Sequence, residues 1–207
     1  MLNIAKFVLL IVFLAPVHCA FGGEFNPILS IGDKAPEWKD LPGVDGQKYS
    51  LSKIKQKVVV VVFTCNSCPY AVDYEDRIIA FVEKNKKQDV QLIAINVNKV
   101  PEDLPDKMKE KAEAKEFKFP YLFDETQKIA RDYGAGYTPE FFVLDKDRKI
   151  VYMGAMDDSP DAKKVKQQYV QVAVDAVLGD GKIEKSETVP IGCRVRYDRV
   201  RRRRSKD

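Results

Sequence analysis

A run of five valines, in the segment KVVVVVF at residues 57–63, constrains the fold of this chain more than any other feature. β-Branched residues favour extended backbone, and the run contains no polar residue that could face solvent from either side of a strand. Such a run predicts a strand that is buried on both faces, as in a parallel sheet covered by helices.

The segments after this run alternate between helical and strand-like patterns. The predicted elements are, in chain order, a helix from Pro69, a strand over 90–97, an exposed helix or loop over 102–116, a short helix over 126–133, a hairpin of 141–145 with 149–154, and a helix over 160–178. We expect Val165 and Val172 on the apolar face of the last helix. This order predicts an α/β fold, with a central mixed sheet and helices on both faces.

Two cysteines, Cys65 and Cys68, stand where the valine strand ends and the first helix begins. At this spacing on a helix their sulfurs share a face, and the helix dipole and unpaired N–H groups favour a thiolate. We therefore predict that Cys65 is the more exposed, low-pKa nucleophile of a thiol–disulfide exchange. Cys68 would then resolve the mixed disulfide. Pro69 fits the first helical turn, where no N–H is needed.

The first 22 residues are typical of a signal peptide, which we assign to residues 1–22. Lys6 precedes an unbroken apolar run at residues 7–17 that is shorter than a membrane span, and small residues follow it. An uncleaved membrane anchor and a lipid anchor on Cys19 are the alternatives. In each case we expect a secreted or periplasmic domain, where disulfides persist.

Other roles for the cysteine pair fit the sequence less well. Beyond residue 22 the chain offers one further cysteine, Cys193, and no histidine, since His18 is the only one in the sequence. Structural zinc needs four ligands and iron–sulfur clusters usually need four thiolates, so no metal or other cofactor is expected. Catalysis by Ser-His or Cys-His pairs is excluded on the same ground. An inert disulfide across so short a gap would stabilise the fold little.

Basic side chains are concentrated at the end of the chain. The formal net charge is +4 at pH 7, but residues 193–207 hold eight basic and two acidic side chains, so the rest of the chain carries about −2. We predict a folded domain over residues 28–197 and a disordered basic tail over 198–207. Such a tail is suited to contact an anionic surface, and a secreted route makes nucleic acid an unexpected partner.

Six short motifs follow one another along the chain: G-D-x-A-P (32–36), D-G-x-x-Y-S-L (45–51), F-x-C-N-x-C-P-Y (63–70), T-P-x-x-F-V-L-D (138–145), G-x-x-D-D-S (154–159) and I-G-C-x-V-x-Y (191–197). Together they resemble the thioredoxin superfamily, in its peroxiredoxin-like AhpC/TSA branch. The resemblance covers about residues 28–197 and implies a thioredoxin-like fold. It also implies a cis peptide bond before Pro139, close to the dithiol, with Thr138 and Pro139 lining a groove for an extended partner chain.

The chain departs from that branch at three places. Ser67 stands where the branch often has histidine between its cysteines, which implies a less oxidising dithiol. Residues 58–62 offer no buried carboxylate of the kind common in thioredoxins. Glu140 is therefore a candidate substitute base, although an exposed salt bridge is the role we expect for it. The sequence YTP at residues 137–139 takes the place of a peroxiredoxin arginine, which argues against efficient peroxide reduction.

The main functional hypothesis is a thiol–disulfide oxidoreductase that exchanges electrons with protein thiols or disulfides, or with a redox donor protein. The alternatives are a peroxiredoxin-like thiol peroxidase that uses Cys65 or Cys68, and a redox-inactive interaction module. Cys193 is a candidate third redox partner or interchain thiol, although a buried free thiol is the commoner fate. Asp157 and Asp158 are candidates for cation binding, although a loop turn is commoner for such a pair.

Overall fold

The computed structural model of the protein describes residues 22–179 and 181–199. The predicted signal peptide at residues 1–22 lies outside the described residues except for its last position, and so does the predicted tail from residue 200 onward. Across the described ranges, no helix is both long enough and apolar enough to cross a membrane.

The described residues form nine strands, four α-helices and three 3-10 turns. The strands are β1 (Leu41–Pro42), β2 (Lys48–Tyr49), β3 (Val58–Thr64), β4 (Val90–Asn96), β5 (Tyr121–Phe123), β6 (Tyr137–Thr138), β7 (Glu140–Leu144), β8 (Ile150–Gly154) and β9 (Cys193–Arg194). The α-helices are α1 (Pro69–Asn85), α2 (Pro105–Ala114), α3 (Lys128–Asp132) and α4 (Tyr169–Leu178), and 3-10 turns lie at Leu51–Lys53, Pro101–Asp103 and Ala162–Lys164.

The central sheet has five strands in the order β5–β4–β3–β7–β8. Strands β3, β4 and β5 run parallel to one another. Strand β7 is antiparallel to β3, and β8 is antiparallel to β7. The sheet is therefore mixed, and the predicted hairpin forms one edge of it.

Strand β3 lies at the centre of this sheet and is buried on both faces, which confirms the prediction from the valine run. Val59 and Val61 pack into a core that includes residues of α3. Val58, Val60 and Val62 pack into a second core, which includes residues of α1, α2 and α4. The predicted helices on both faces of the sheet are therefore present.

The last helix is shorter than the pattern over residues 160–178 predicts. The observed helix begins at Tyr169, and the residues before it form a loop with the 3-10 turn at Ala162–Lys164. The Asp158 carboxylate accepts the backbone N–H of Lys166 at 2.9 Å, which ties this stretch to the preceding loop. Val165 lies before the helix, and Val172 is 52% exposed. The prediction that both valines face the core from this helix is therefore wrong.

Strand β5 is absent from the predicted elements. It has only three residues, which is too short for an alternating pattern to show in the sequence. Its partner β4 fixes it at the edge of the sheet by parallel pairing.

A separate two-stranded ladder brings the C-terminal segment to the end of the central sheet. Strands β6 and β9 pair antiparallel, with Tyr137 opposite Arg194 and Thr138 opposite Cys193. The contacts continue beyond the predicted domain boundary at residue 197, because the N–H of Asp198 donates to the Gln127 side chain at 2.7 Å.

Gly192 permits the close approach of β9 to β6. A Cβ at this position would lie 2.3 Å from the Thr138 carbonyl oxygen and 3.1 Å from the Pro139 nitrogen, both of which are backbone atoms. At Gly136, which directly precedes β6, a Cβ would meet no atom within 4 Å.

Replacing Gly192 by alanine should push β9 away from β6, because backbone atoms cannot move aside as a flexible side chain does. We expect a loss of about 1–3 kcal/mol in the free energy of unfolding, measured by urea titration, together with faster alkylation of Cys193. Gly136→Ala is the matched control and should change neither quantity. Equal behaviour of the two variants would show that the close contact at Gly192 does not hold β9 in place.

Candidate functional site

The two cysteines lie where β3 passes into α1. Cys65 follows β3 directly, and Cys68 is the N-cap residue of α1, with Pro69 as the first helical residue. Both are free thiols, and they are 3% and 4% exposed. The expectation that Cys65 is the more exposed of the two is therefore wrong.

Both sulfurs contact Thr138, which lies at the end of β6. The Cys65 sulfur is 3.5 Å from the Thr138 hydroxyl oxygen. The Cys68 S–H donates to the Thr138 carbonyl oxygen at 3.1 Å. The bond between Thr138 and Pro139 is cis, as the family resemblance implied.

The backbone edge of Thr138 is occupied by the chain itself. Thr138 is fully buried and pairs with Cys193 across the β6–β9 ladder. The sequence predicts that Thr138 and Pro139 line a groove open to an extended partner chain. In this structure β9 fills the place that such a chain would take.

The thiolate is stabilised at Cys68 rather than at Cys65. The pKa of Cys68 is lowered to about 5, first by a hydrogen bond from the Cys65 thiol and then by contacts with the Cys193 thiol, the Ala71 N–H and the Thr138 hydroxyl. Burial and the Thr138 carbonyl oppose the negative charge, but these four donors outweigh them. At neutral pH a larger fraction of Cys68 than of Cys65 is therefore thiolate.

The pKa of Cys65 is raised, which contradicts the sequence prediction. The largest cause is its hydrogen bond with Cys68, and burial is the next. The negative charge of Asp103 raises it further. The sequence pattern predicts a helix N-terminus next to Cys65, whereas the N-cap residue is Cys68. The helical N–H groups therefore favour charge on the second cysteine.

A buried carboxylate, Asp103, holds the two residues between the cysteines. It accepts the backbone N–H groups of Asn66 and Ser67 at 2.7 and 2.8 Å, and the Ser67 hydroxyl at 2.7 Å. Asp103 is fully buried, and the Asn66 side chain donates to the Glu102 carbonyl at 2.9 Å. These bonds fix the loop that carries both cysteines.

Asp103 is absent from the site residues predicted from the sequence, although a usable signal was present. Strands β3 and β4 are parallel, so the segments that follow them leave the same edge of the sheet. An acidic residue in the segment after β4 is therefore placed to meet the backbone N–H groups of the Cys65–Cys68 loop. Its exact partners depend on the 3-10 turn at Pro101–Asp103, which the sequence analysis did not resolve.

Glu140 is buried beside the site rather than exposed in a salt bridge, so the role that we expected for it is wrong. It is 4% exposed, and its carboxylate accepts the backbone N–H groups of Gly136 and Tyr137 at 2.8 and 3.0 Å. These bonds close the turn around Pro139, between β6 and β7. Burial raises the pKa of Glu140 from 4.5 to about 7, against the opposing effect of the two N–H groups.

Cys193 lies within the same cluster of sulfurs. It is partly exposed and packs against Cys65, Cys68 and Ala71. Burial raises its pKa first, and its contact with Cys68 raises the pKa further. The site therefore brings three cysteines together, two from one loop and one from a strand 125 positions later in the chain than Cys68.

The other acidic pair that we considered, Asp157 and Asp158, serves structural contacts. The Asp157 carboxylate accepts the Tyr74 hydroxyl at 2.9 Å and pairs with the Arg77 guanidinium at 2.7 Å. Since these oxygens already have partners, a loop turn describes the pair better than a cation site.

Comparison with known proteins places these features in a family context. The sequence model of the AhpC/TSA family matches residues 31–153. A thiol–disulfide oxidoreductase ResA from Bacillus thuringiensis (strain Al Hakam) is 30% identical over 126 residues, which cover 59% of this chain and 68% of the relative.

Two solved structures share the fold over most of this chain. An uncharacterised conserved protein from Geobacillus kaustophilus is 33% identical, with a TM-score of 0.78, over 84% of this chain and 95% of that one. A Chlorobium tepidum protein, provisionally described as a thiol:disulfide interchange protein DsbE, is 25% identical, with a TM-score of 0.61, over 73% and 99%. The predicted thioredoxin-like fold is therefore confirmed.

Replacing Asp103 by alanine should loosen the loop that carries the cysteines, because three donors would lose their acceptor. We expect the free energy of unfolding to fall by about 1–3 kcal/mol in urea titration. Glu102→Ala is the matched control, since the exposed Glu102 contributes only its backbone carbonyl to this loop. A loss no larger than that of the control would contradict the assigned role of Asp103.

Replacing Glu140 by glutamine should change how stability depends on pH. Below pH 4.5 the carboxyl is protonated in the folded and the unfolded chain, whereas between 4.5 and about 7 only the folded chain keeps the proton. Stability is therefore lost as pH rises through this window, by up to about 3 kcal/mol.

Glutamine does not titrate, so Glu140→Gln should gain stability relative to the parent as pH rises from 4.5 to 7. Urea unfolding of both proteins across this range measures the difference. A difference that stays constant with pH would mean that Glu140 titrates normally.

Proposed function

Because the chain belongs to the AhpC/TSA family and is related to a thiol–disulfide oxidoreductase, we propose that it catalyses thiol–disulfide exchange through Cys65 and Cys68. The observation that carries this proposal is the position of two free thiols at the start of α1, with both sulfurs in contact with Thr138. Cys68 stands at the N-cap of α1, and the neighbouring Cys65 thiol donates to it. A thiolate with a second thiol in contact is the arrangement that forms and breaks disulfides.

The reaction moves two electrons. In the reducing direction, the Cys68 thiolate attacks one sulfur of a disulfide, and the other sulfur leaves as a thiolate and takes up a proton. The Cys65 thiol then loses its proton and attacks Cys68, which closes the Cys65–Cys68 disulfide and releases the second partner thiol. The roles are therefore reversed from those that the sequence alone suggested, because the charge is stabilised on Cys68.

The fixed geometry of the pair supports this chemistry. Asp103 holds the intervening loop, and Thr138 contacts both sulfurs. The Cys68 S–H loses its hydrogen bond to the Thr138 carbonyl when the sulfurs join, whereas the bonds from the loop to Asp103 are unaffected. The two cysteines can therefore pass between the dithiol and the disulfide with little change in the surrounding backbone.

We propose protein thiols or disulfides as the substrates and a location outside the cytoplasm. The support for the location is the sequence of residues 1–22, which is typical of a signal peptide. N-terminal sequencing of the protein purified from its own cells tests it. A mature chain that begins near residue 23 supports export, and a chain that still begins at Met1 in the cytoplasmic fraction contradicts it.

The proposed activity predicts that the parent protein reduces insulin disulfides in the presence of a dithiol reductant. Cys68→Ser should lose this activity, because it removes the stabilised thiolate. Circular dichroism should confirm that the variant is folded.

A parallel assay with hydrogen peroxide and the same reductant separates the alternatives. Insulin reduction without peroxide consumption supports the proposal. Peroxide consumption without insulin reduction would assign a peroxidase, and the absence of both would leave a redox-inactive module.

A further inference from the structure

Strand β9 occupies the position of an exchanging partner. Addition of an extended strand to an open edge is a common mode of peptide recognition, and here β9 adds to β6. The register sets Cys193 opposite Thr138, the residue that contacts both sulfurs of the pair. The N–H of Val195 donates to the Gly136 carbonyl at 2.9 Å and extends this pairing.

Gly192, directly before β9, lets the chain approach Thr138 closely. Gly192 packs against the Thr138 carbonyl, where any side chain would collide with backbone. The chain can therefore bring the following residue, Cys193, into the cluster of sulfurs. Cys193 packs there against the cluster to which Cys65 and Cys68 belong, and its thiol contacts Cys68.

Accessibility differs among the three sulfurs. Cys65 and Cys68 are 3% and 4% exposed, and Cys193 of β9 packs against their cluster, so a folded partner protein reaches either sulfur less readily than Cys193. Cys193 is partly exposed and contacts Cys68 on its inner side. One sulfur of the cluster therefore faces both the solvent and the buried pair.

We propose that Cys193 is an internal exchange partner, which forms a disulfide with Cys68 and passes the redox state of the buried pair to partner proteins. This proposal rests on the proposed function and extends it by one residue. Cys68 is the central sulfur, and it joins either Cys65 or Cys193.

The first step rearranges bonds within the chain without net oxidation. The Cys193 thiol loses its proton and attacks the Cys68 sulfur of the Cys65–Cys68 disulfide. A Cys68–Cys193 bond forms, the Cys65–Cys68 bond breaks, and Cys65 leaves as a thiolate that takes up the proton. The number of disulfides and of protons in the chain is unchanged.

The second step transfers two electrons from a partner dithiol. A partner thiolate attacks the exposed Cys193 sulfur, and Cys68 leaves as its stabilised thiolate, which is the better leaving group. The second partner thiol, on losing its proton, then attacks the partner sulfur of the mixed disulfide and expels the Cys193 thiolate. The partner is oxidised to a disulfide, and the two protons it loses go to Cys193 and to solvent or buffer. The same steps in reverse reduce a partner disulfide.

Disulfide mapping in the full chain tests the central position of Cys68. Each variant is equilibrated in a glutathione redox buffer, quenched with acid, alkylated and mapped by mass spectrometry. Cys65→Ser should give an intramolecular Cys68–Cys193 disulfide in the monomer. Cys68→Ser is the matched control and should give glutathione adducts rather than a Cys65–Cys193 bond. A Cys65→Ser protein that forms only glutathione adducts or interchain disulfides would overturn the proposal.

Exchange with insulin tests the relay separately from the proposed function. Cys193→Ser should still form the Cys65–Cys68 disulfide in glutathione buffer, but its reduction of insulin should be slower by about tenfold or more, because the remaining sulfurs are buried. Insulin reduction at the parental rate in Cys193→Ser would overturn the relay and leave the proposed function standing. If the parent itself fails to reduce insulin, the proposed function fails, and the mapping of Cys65→Ser still decides whether Cys193 joins Cys68.

Discussion

The burial of β3 on both faces determines where the site forms. Because the valines of this strand alternate between two cores, only its carboxyl end is available to carry polar chemistry. The parallel partner β4 ends at the same edge, and the segment after it supplies Asp103. The antiparallel partner β7 begins beside the end of β3, with Glu140 opposite Phe63, so the residues just before β7 meet Cys65 and Cys68. The register of these three strands thus brings together the Cys65–Cys68 loop, the Asp103 carboxylate that holds it, and Thr138.

Local sequence patterns predict those features that depend on neighbours along the chain. The valine run, the helix from Pro69 and the hairpin each follow from periodicity over a few residues, and the structure contains all three. The placement of Cys65 and Cys68 at the junction follows from the same patterns. The cis bond before Pro139 came from the family resemblance, because the residues alone do not distinguish it from an ordinary turn proline.

The features that the sequence did not predict depend on contacts between distant segments. Asp103 reaches the cysteine loop only because β3 and β4 are parallel neighbours. The burial of Glu140 depends on the pairing of β7 with the central strand β3. The charge of the residue, by contrast, favours an exposed position when the sequence is read alone. The position of Cys193 depends on a two-residue strand that has no pattern of its own. The lowered pKa of Cys68 depends first on its hydrogen bond from Cys65 and then on its contact with the distant Cys193, which the local sequence does not predict.

The groups that surround Cys68 stabilise its thiolate but also restrict access to it. Thiol and N–H donors around Cys68 stabilise its thiolate in a site from which water is largely excluded. The same burial separates both cysteines of the pair from a folded partner. In the proposed relay the C-terminal segment provides access, because β9 carries a partly exposed sulfur into contact with the buried cluster.

A redox titration of the Cys65–Cys68 pair in glutathione buffers, with Cys193 present and with Cys193→Ser, tests the central claim most directly. Because the reduced form is stabilised by the Cys68 thiolate, the reduction potential should lie above about −300 mV, in the range of catalytic pairs. A potential below about −300 mV would mark the pair as a structural disulfide and would contradict the account.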